Sequence, residues 1–593
     1  MHETTKAAYR RAHDLLFHSR FFVGTGIDIG AGDDSLSRFI GTFPNMLAVH
    51  NWDVQDGDAQ FMAGVKDDSF DFVHSSHCLE HLLNPREALA NWLRILRPGG
   101  FLVVTVPDEV LYESGVWPSR NNLDHKWSFC IHRAFPLHSH SLSVIDLVRD
   151  FEEEIECESV RLIRNFWRQD LSAHDQTLDI AECAIEFIWR KKTSDEITQL
   201  GNSAEAAGHI DTAERLYRRS IEKSPGLFQA YNYLANLCDR FGCVKQANDV
   251  WSQCVTSLSS HRIALVFQAL HLMKQGRYDE GFKIRDPLVS DSYRTPVLPP
   301  SNMKRWQGES LRDRSIVIWS EFGLGDEIMF SRFAQVFKEH LGAHRVAIVC
   351  QAPLRRILQT MPCLDEVVTR ENIDELATYD FWVFGHSIPV YYSLEKNGVP
   401  QETPYLCLEK PLGIAPDWES MLGARQGDLR VGVVWRGSAT HENDSLRSIH
   451  DPEVLQRLLA FKGVHWVFLQ FGNNPQEQSY CEQLGVRVTD AGPYLNDFAD
   501  TASLMDELDM LVSVDTSTVH LAGAMGKPVL LMLPNFSDWR WGITQSHAPW
   551  YPTVQIIRQR EFCRWDDVIE SVHFELTQRM HEQGLRLREP MAE

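Results

Sequence analysis

Several side chains able to do chemistry stand where apolar runs of this 593-residue sequence end. Val512-Ser-Val-Asp515-Thr516-Ser517-Thr518-Val-His520 reads as a strand closing on an acid and three hydroxyls, then a short helix carrying a His; Gly526-Lys-Pro turns into a second apolar strand. A strand that opens onto a helix N-terminus favours anions, because free backbone N–H groups and the helix dipole both attract negative charge. The hydroxyls add donors, and His520 sits about one helical turn further in. This pattern makes a cradle for the diphosphate of an activated sugar; an ordinary crossover in which Asp515 merely caps the helix has the same local pattern. Near the other end, Asp28-Ile-Gly30-Ala-Gly32 closes another strand with glycines, which let a ligand approach the backbone. Asp53, ending the next strand, has the acceptors for the two hydroxyls of a ribose, and Asp58-Ala59 falls where an adenine amino group would bind.

Two further segments share the strand-then-glycine form. Glu321-Phe-Gly323-Leu-Gly325-Asp326-Glu327 follows one apolar run, and Trp435-Arg436-Gly437-Ser438 follows another, with His441 and Arg447 shortly after. Arginine suits bidentate contact with phosphate, although Arg447 as a surface ion pair, or Asp326 as a helix cap, is the plain structural alternative. Asp124-His125-Lys126-Trp127, with His132, His138 and His140 nearby, offers a base for a hydroxyl, since a histidine titrates near neutrality. A polar surface loop would look the same. The twelve cysteines are scattered, and no Cys/His spacing is metal-like, so no metal is expected.

These residues need sheets to hold them. From about 21 to 192, strands at Phe22–Gly30, Met46–Asp53, Ser69–Ser76 and Phe101–Val106 alternate with a helix at Pro85–Leu96 and a turn at Arg97–Gly100, which predicts a parallel, doubly wound α/β domain over 1–192. From 195 to 290 the pattern is helical and repeats: Gly208, Gly242 and Gly276 share a 34-residue interval, as do Ala213, Ala247 and Gly281. Thr295-Pro-Val-Leu-Pro-Pro300 then breaks the chain before a second α/β region. That region splits into halves opened by Ser315–Trp319 and Leu429–Trp435, expected as lobes over 311–413 and 429–580, with Pro411–Gly427 joining them. Two αβα lobes suit a ligand held in the crevice between them, outside the strand C-termini.

The length suggests roughly three or four domains. A net charge of −23 without a long basic run argues against nucleic acid or an anionic membrane as the main partner. The N-terminus lacks the build of a signal peptide. No apolar run approaches the ~20 residues of a membrane span. A reduced, cytoplasmic protein that does not span a membrane is expected.

As a set, Asp28 to Gly32, Asp53, Gly57-Asp58-Ala59, Ser69-Phe70-Asp71, Leu79-Glu80-His81 and Leu96–Gly100 resemble the class I S-adenosylmethionine-dependent methyltransferases. The resemblance implies Gly30 and Gly32 beside the methionine part, Asp53 on the ribose and Asp58 on the adenine. It departs at Asp33-Asp34, where a further glycine is usual. The 34-residue register resembles tetratricopeptide repeats. The segments at Glu321–Glu327, Trp435–Ser448, Asp515–His520, Ser537–Trp541 and Trp550–Pro552 together resemble the heptosyltransferase-like glycosyltransferases of family 9, which have the GT-B fold. That resemblance implies Asp326 as base, Gly325, Arg436, His441 and Arg447 near the donor, and Asp515, Thr516, Ser517, Thr518 and His520 around its diphosphate, without a bound metal. The expectation is a multidomain α/β enzyme with two activities. It transfers sugar from a nucleotide-sugar donor to a glycan, lipid-linked glycan or protein acceptor, and methylates a hydroxyl with S-adenosylmethionine. The repeats would hold a protein partner or space the sites. The alternatives are a repeat-based protein glycosyltransferase and a binding scaffold with a degenerate methyltransferase domain.

Overall fold

The computed structural model describes residues 2–171, 174–258, 261–408, 416–425, 427–441, 443–471, 475–535, 537–560 and 564–584. The start of the expected Pro411–Gly427 connection, at 411–415, and with it the lobe boundary at 413, lie outside the described residues. The chain divides into two compact units, one formed by residues 1–204 with 211–230 and the other by 205–210 with 231–593.

The first unit is built on β1 (Gly24–Ile29), β2 (Met46–Trp52), β3 (Phe70–Ser76), β4 (Leu96–Pro107), the short pair β5 (Ser128–Cys130) and β6 (Ser141–Ser143), β7 (Ile155–Ile163) and β8 (Ala184–Lys191). The main sheet runs β2-β1-β3-β4-β8-β7. Its first four strands are parallel, and β8 is antiparallel to both β4 and β7. The helix Pro85–Ile95, capped by Asn84, covers one face through Ala88, Leu89, Trp92 and Leu93. The expected turn at Arg97–Gly100 is instead a bulge inside β4. Gly99 there takes φ +81°, and the pairing with β3 slips between Phe70 and Phe72. That slip lets the strand begin at Leu96, before its apolar run.

Among the described residues, six helices follow, joined in pairs by turns at Gly208, Gly242 and Gly276 with φ of +81°, +70° and +83°. A left-handed residue at each turn is the physical reason for the repeated glycine. In the first unit, Ser194–Ala206 and Ile210–Lys223 pack closely: a Cβ on Gly201 would sit 2.5 Å from Tyr217 Cε1.

In the second unit, β9 (Lys304–Arg305), β10 (Ser315–Trp319), β11 (Arg345–Cys350), β12 (Glu366–Thr369) and β13 (Phe381–Phe384) form a parallel sheet ordered β12-β11-β10-β13-β9. Next come β14 (Leu429–Val434), β15 (Val464–Phe468), β16 (Arg487–Asp490), β17 (Met510–Val514), β18 (Val529–Leu533), β19 (His547–Ala548) and β20 (Tyr551–Arg558). Their order is β16-β15-β14-β17-β18-β20-β19, parallel except for β19. One apolar core joins the two lobes and takes in Tyr278 and Phe282 of the last helical hairpin. Phe282 meets Trp539 edge-on at 5.5 Å, and Tyr278 meets Trp550 at 5.5 Å. Gly281 permits this hairpin to close, since a Cβ there would lie 2.7 Å from the Ala269 carbonyl oxygen. Among the described residues, no helix is long and apolar enough to cross a membrane.

Candidate active sites

In each of the three larger sheets, among the described residues, parallel crossovers run to opposite sides of one neighbouring pair, β1/β3, β10/β13 and β14/β17. Crossovers leave in opposite directions at such a point, opening a crevice outside the strand C-termini. The residues that follow those six strands are the ones that converge.

At β10/β13, the chain leaving β10 passes Glu321 and Phe322 (φ +55°) into the helix Leu324–Ser331. The Gly323 amide donates to Asp326 Oδ2 at 3.2 Å. The chain leaving β13 supplies His386, whose Nε2 lies 3.3 Å from Asp326 Oδ1 and whose Nδ1 lies 3.1 Å from Glu321 Oε2. Glu321 accepts from Arg294 at 3.1 Å, and Arg294, itself buried, also binds Asp286 at 2.8 Å. From the other lobe, Arg540 donates to both Asp326 Oδ1 and Asp538 Oδ1. Burial works to raise the Asp326 pKa, but the Arg540 guanidinium and the His386 ring hold it well below the usual carboxylate range. Arg540 also stacks over Trp539, 4.7 Å from the ring centroid.

At β14/β17, Asp515 follows β17 and Thr516 is the N-cap residue of the helix Ser517–Ala524. The Thr516 hydroxyl lies 3.2 Å from Ser513 Oγ and bonds no amide of the helix. Ser517 and Thr518 are half-buried in the first turn. Burial and the nearby Asp538 carboxylate push the Asp515 pKa up to about 6. His520 is buried, with Nδ1 3.0 Å from the Tyr551 hydroxyl. Desolvation and the Arg540 charge lower its pKa to about 3, so the ring is neutral at ordinary pH. The two lobes touch at Gly325, where a Cβ would sit 2.7 Å from His520 Cδ2.

After β14, the Arg436 amide donates to Gln470 Oε1 at 3.0 Å, and its guanidinium pairs with Glu477 at 2.7 Å. Arg447 packs against Gly437, where a Cβ would lie 2.4 Å from Nη2, and sits 3.5 Å from Asp444. His441 is exposed, its Nδ1 accepting from the Asn443 amide at 3.2 Å. Arg436 and Arg447 thus already have acidic partners that an entering anion would have to displace.

In the first unit, Gly30 takes φ +76° and Gly32 φ +49°. A Cβ on Gly30 would lie 2.6 Å from Cys78 Cβ, whereas nothing stands within 4 Å of one on Gly32, so the loop is tight beneath and open above. Asp28 is not on the open side. Its oxygens take the Leu36 amide at 2.7 Å and His74 Nδ1 at 2.6 Å, and His74 Nε2 in turn meets Arg11 at 2.9 Å. Asp28 therefore braces the loop from below. Asp34, the departure in this loop, accepts from the Thr5 amide at 2.9 Å and from the Thr5 hydroxyl. It serves as an N-terminal cap for the helix Glu3–Arg11. Asp53 is half-buried and accepts from the Val54 amide at 2.9 Å; exposed Asp58 accepts from the Gln60 amide at 2.8 Å; the Ala59 carbonyl accepts from Trp92 at 2.9 Å.

His125 is buried, with Nδ1 2.6 Å from Glu113 Oε1. Its ring meets that of His81 at 4.9 Å. His81 belongs to the segment leaving β3, the neighbour of the glycine loop at the crevice, and its Nδ1 lies 3.0 Å from Asp124. His138 and His140 lie apart from this pair, stacked on Trp117 at 4.7 and 5.6 Å.

Residues 1–153 match the family model described as a methyltransferase domain. Protein FlbA of Caulobacter vibrioides is 25% identical over 402 residues, which are 63% of this chain and 65% of that protein, so the match spans less than two thirds of the relative's length. Among solved structures, the chain is similar to the glycosyl transferase family 9 from Veillonella parvula, with 15% identity, 46% of this chain and 91% of that one covered, and a TM-score of 0.32. It is also similar to the E. coli ADP-heptose LPS heptosyltransferase II, with 14% identity, 45% and 99% coverage, and a TM-score of 0.31.

Proposed function

We propose that the chain carries two transferase activities: transfer of a sugar from a nucleotide-diphosphate donor in the second unit, and S-adenosylmethionine-dependent O-methylation of a sugar or glycosylated acceptor in the first. The observation that carries the first is the meeting of Asp326, His386, Arg540 and His520 where two crevices face each other, beside a helix N-terminus set with hydroxyls.

In sugar transfer, Asp326 takes the proton of the acceptor hydroxyl, whose oxygen attacks the anomeric carbon as the bond to the diphosphate breaks. The departing charge is met by Arg540, by Arg436 or Arg447, and by the N–H groups and hydroxyls at Thr516–Thr518. Attack from the face opposite the leaving group inverts the anomeric centre. Asp326 is a weak base while Arg540 is bonded to it. Donor phosphate drawing Arg540 away frees the carboxylate, which couples donor binding to base strength. Neutral His520 contributes shape and hydrogen bonding to this pocket.

In the first unit, the open side of Gly32, with Asp53, Asp58 and Ala59, would hold S-adenosylmethionine, which supplies an electrophilic methyl carbon. The capping role of Asp34 takes its charge out of that space. His125, oriented by Glu113, is the residue of this unit nearest in kind to a base as long as no ion holds its other ring nitrogen. A protein acceptor is favoured as a second reading by the burial of Tyr278 and Phe282 beside Trp539 and His386, which puts a repeat-like hairpin against the transfer site.

A nucleotide-sugar panel read by hydrolysis tests the second unit, and calorimetry with S-adenosylhomocysteine tests the first. Each is expected to give a hit. Binding of neither ligand class would leave the scaffold alternative standing.

A further inference from the structure

We propose that Glu80, His81 and His125 form a binding site for one divalent first-row transition-metal ion at the β1/β3 crevice of the first unit. One potential ligand atom from each of these three side chains lies within 4.8 Å of the other two.

The donor set is specific. Nδ1 of His125 is engaged by Glu113 at 2.6 Å, and Nδ1 of His81 by Asp124 at 3.0 Å, which leaves Nε2 of each ring for an ion. A carboxylate on the far nitrogen of a metal-binding histidine fixes its tautomer and raises its basicity. Here both rings have one. The third donor, Glu80, is the independent observation. It is fully buried; His77 Nδ1 pairs with Oε1 at 3.4 Å, and Oε2 accepts no hydrogen bond. The His77 pair offsets part of the cost of burying this carboxylate, and Oε2 is the oxygen left for an ion.

Two imidazoles and one carboxylate suit zinc, cobalt, nickel or ferrous iron rather than magnesium or calcium, which prefer all-oxygen shells. Three protein ligands leave coordination positions open for water or a substrate oxygen. Ligand atoms of a tetrahedral site stand roughly 3.4 Å apart at ordinary bond lengths, so an ion would draw this cluster inward. His81, at 27% side-chain exposure, has the room to move. The backbone already pins the other two: the Glu80 carbonyl accepts from the Lys126 amide at 2.8 Å and the Trp127 amide at 3.2 Å, tying the segment after β3 to the one that carries His125.

The test uses the full chain, stripped with a chelator and titrated with Co²⁺, followed by visible absorption and calorimetry, then competed with Zn²⁺. One equivalent is expected to give the intense visible bands of a low-coordinate cobalt site, bleached by one equivalent of zinc. Glu80→Gln and His81→Ala are expected to lose the bands while keeping the wild-type circular dichroism spectrum. Glu113→Gln, which leaves all three ligands in place, is expected to weaken binding by about 10–100-fold. His138→Ala/His140→Ala, outside the cluster, is expected to bind as wild type does. Wild-type bands in Glu80→Gln and His81→Ala, or no cobalt spectrum in the stripped wild type, would overturn the proposal. Should His81→Ala fail to fold, unaltered affinity in Glu113→Gln would overturn it as well.

Discussion

Asp326 and Arg540, 214 positions apart, form an ion pair across the two lobes of the second unit, and His386 stands on the same carboxylate oxygen. A carboxylate so held stays ionised but accepts protons poorly. Arg540→Gln is therefore expected to raise the Asp326 pKa toward its ordinary value, moving the acid limb of the pH–rate profile to higher pH. Donor affinity should fall at least tenfold if, as proposed, the same guanidinium meets the diphosphate. Asp326→Asn is expected to lower turnover by a factor of about 10²–10⁴ with donor affinity nearly unchanged. Steady-state kinetics across pH, with calorimetry on both variants, checks the pair.

Donor binding is expected to weaken as pH rises through about 6, where Asp515 ionises. The sign follows from charge. Below that pH the carboxyl is neutral beside the diphosphate, and above it two negative groups face each other, with Asp538 adding to the repulsion. Arg447 and Arg540 face the same carboxyl and oppose that repulsion, so the slope is at most tenfold in affinity per pH unit. Asp515→Asn should flatten it. A nucleotide sugar titrated calorimetrically between pH 5 and pH 8, in buffers of different ionisation enthalpy, reads both the slope and the proton taken up.

Gly325→Ala is expected to destabilise the second unit by about 1–3 kcal/mol, since the new methyl group meets His520 and the packed Tyr551 and Trp541 behind it. Gly325→Ala combined with His520→Ala should recover part of that loss without recovering activity. Thermal melts of the single and double variants measure the coupling.

In the first unit, Gly30→Val is expected to abolish S-adenosylhomocysteine binding, because its side chain drives into Cys78 while the backbone there favours glycine. Asp34→Ala should behave oppositely. It costs about 1 kcal/mol through the lost helix cap and leaves that affinity within a factor of two. Parallel calorimetry and melts separate a loop that holds cofactor from one that only folds.

The strands were legible because each is a short apolar run ended by glycine or an acid: Ser315–Trp319 has the expected bounds, and Phe70–Ser76 begins one residue late. The glycines at 208, 242 and 276 were legible as a period and prove to be three left-handed turns. Partners that depend on strand order were not legible. His386 stands beside Asp326 because β13 is the neighbour of β10, and in a parallel sheet that pairing is fixed by crossovers rather than by adjacent residues. Arg540 was visible only as the residue between Trp539 and Trp541, with nothing local to tie it to Asp326. Asp28 was read with the cofactor loop, but its side chain faces His74, an orientation that strand periodicity alone does not assign to a ligand. Cys/His spacing hid the Glu80, His81 and His125 cluster for the same reason, since the donors come from two separate loops.

Tandem repeats commonly lengthen or shorten by whole units as genes recombine. Here Phe282 and Tyr278 are interleaved with Trp539, Trp550 and Phe330, so the last hairpin is part of the second unit's core rather than a detachable module. A recombination event that removed it would expose an aromatic face on both lobes. Loss of a whole repeat is therefore expected to be tolerated better before residue 262 than at the last hairpin, which shares its core with both lobes of the second unit.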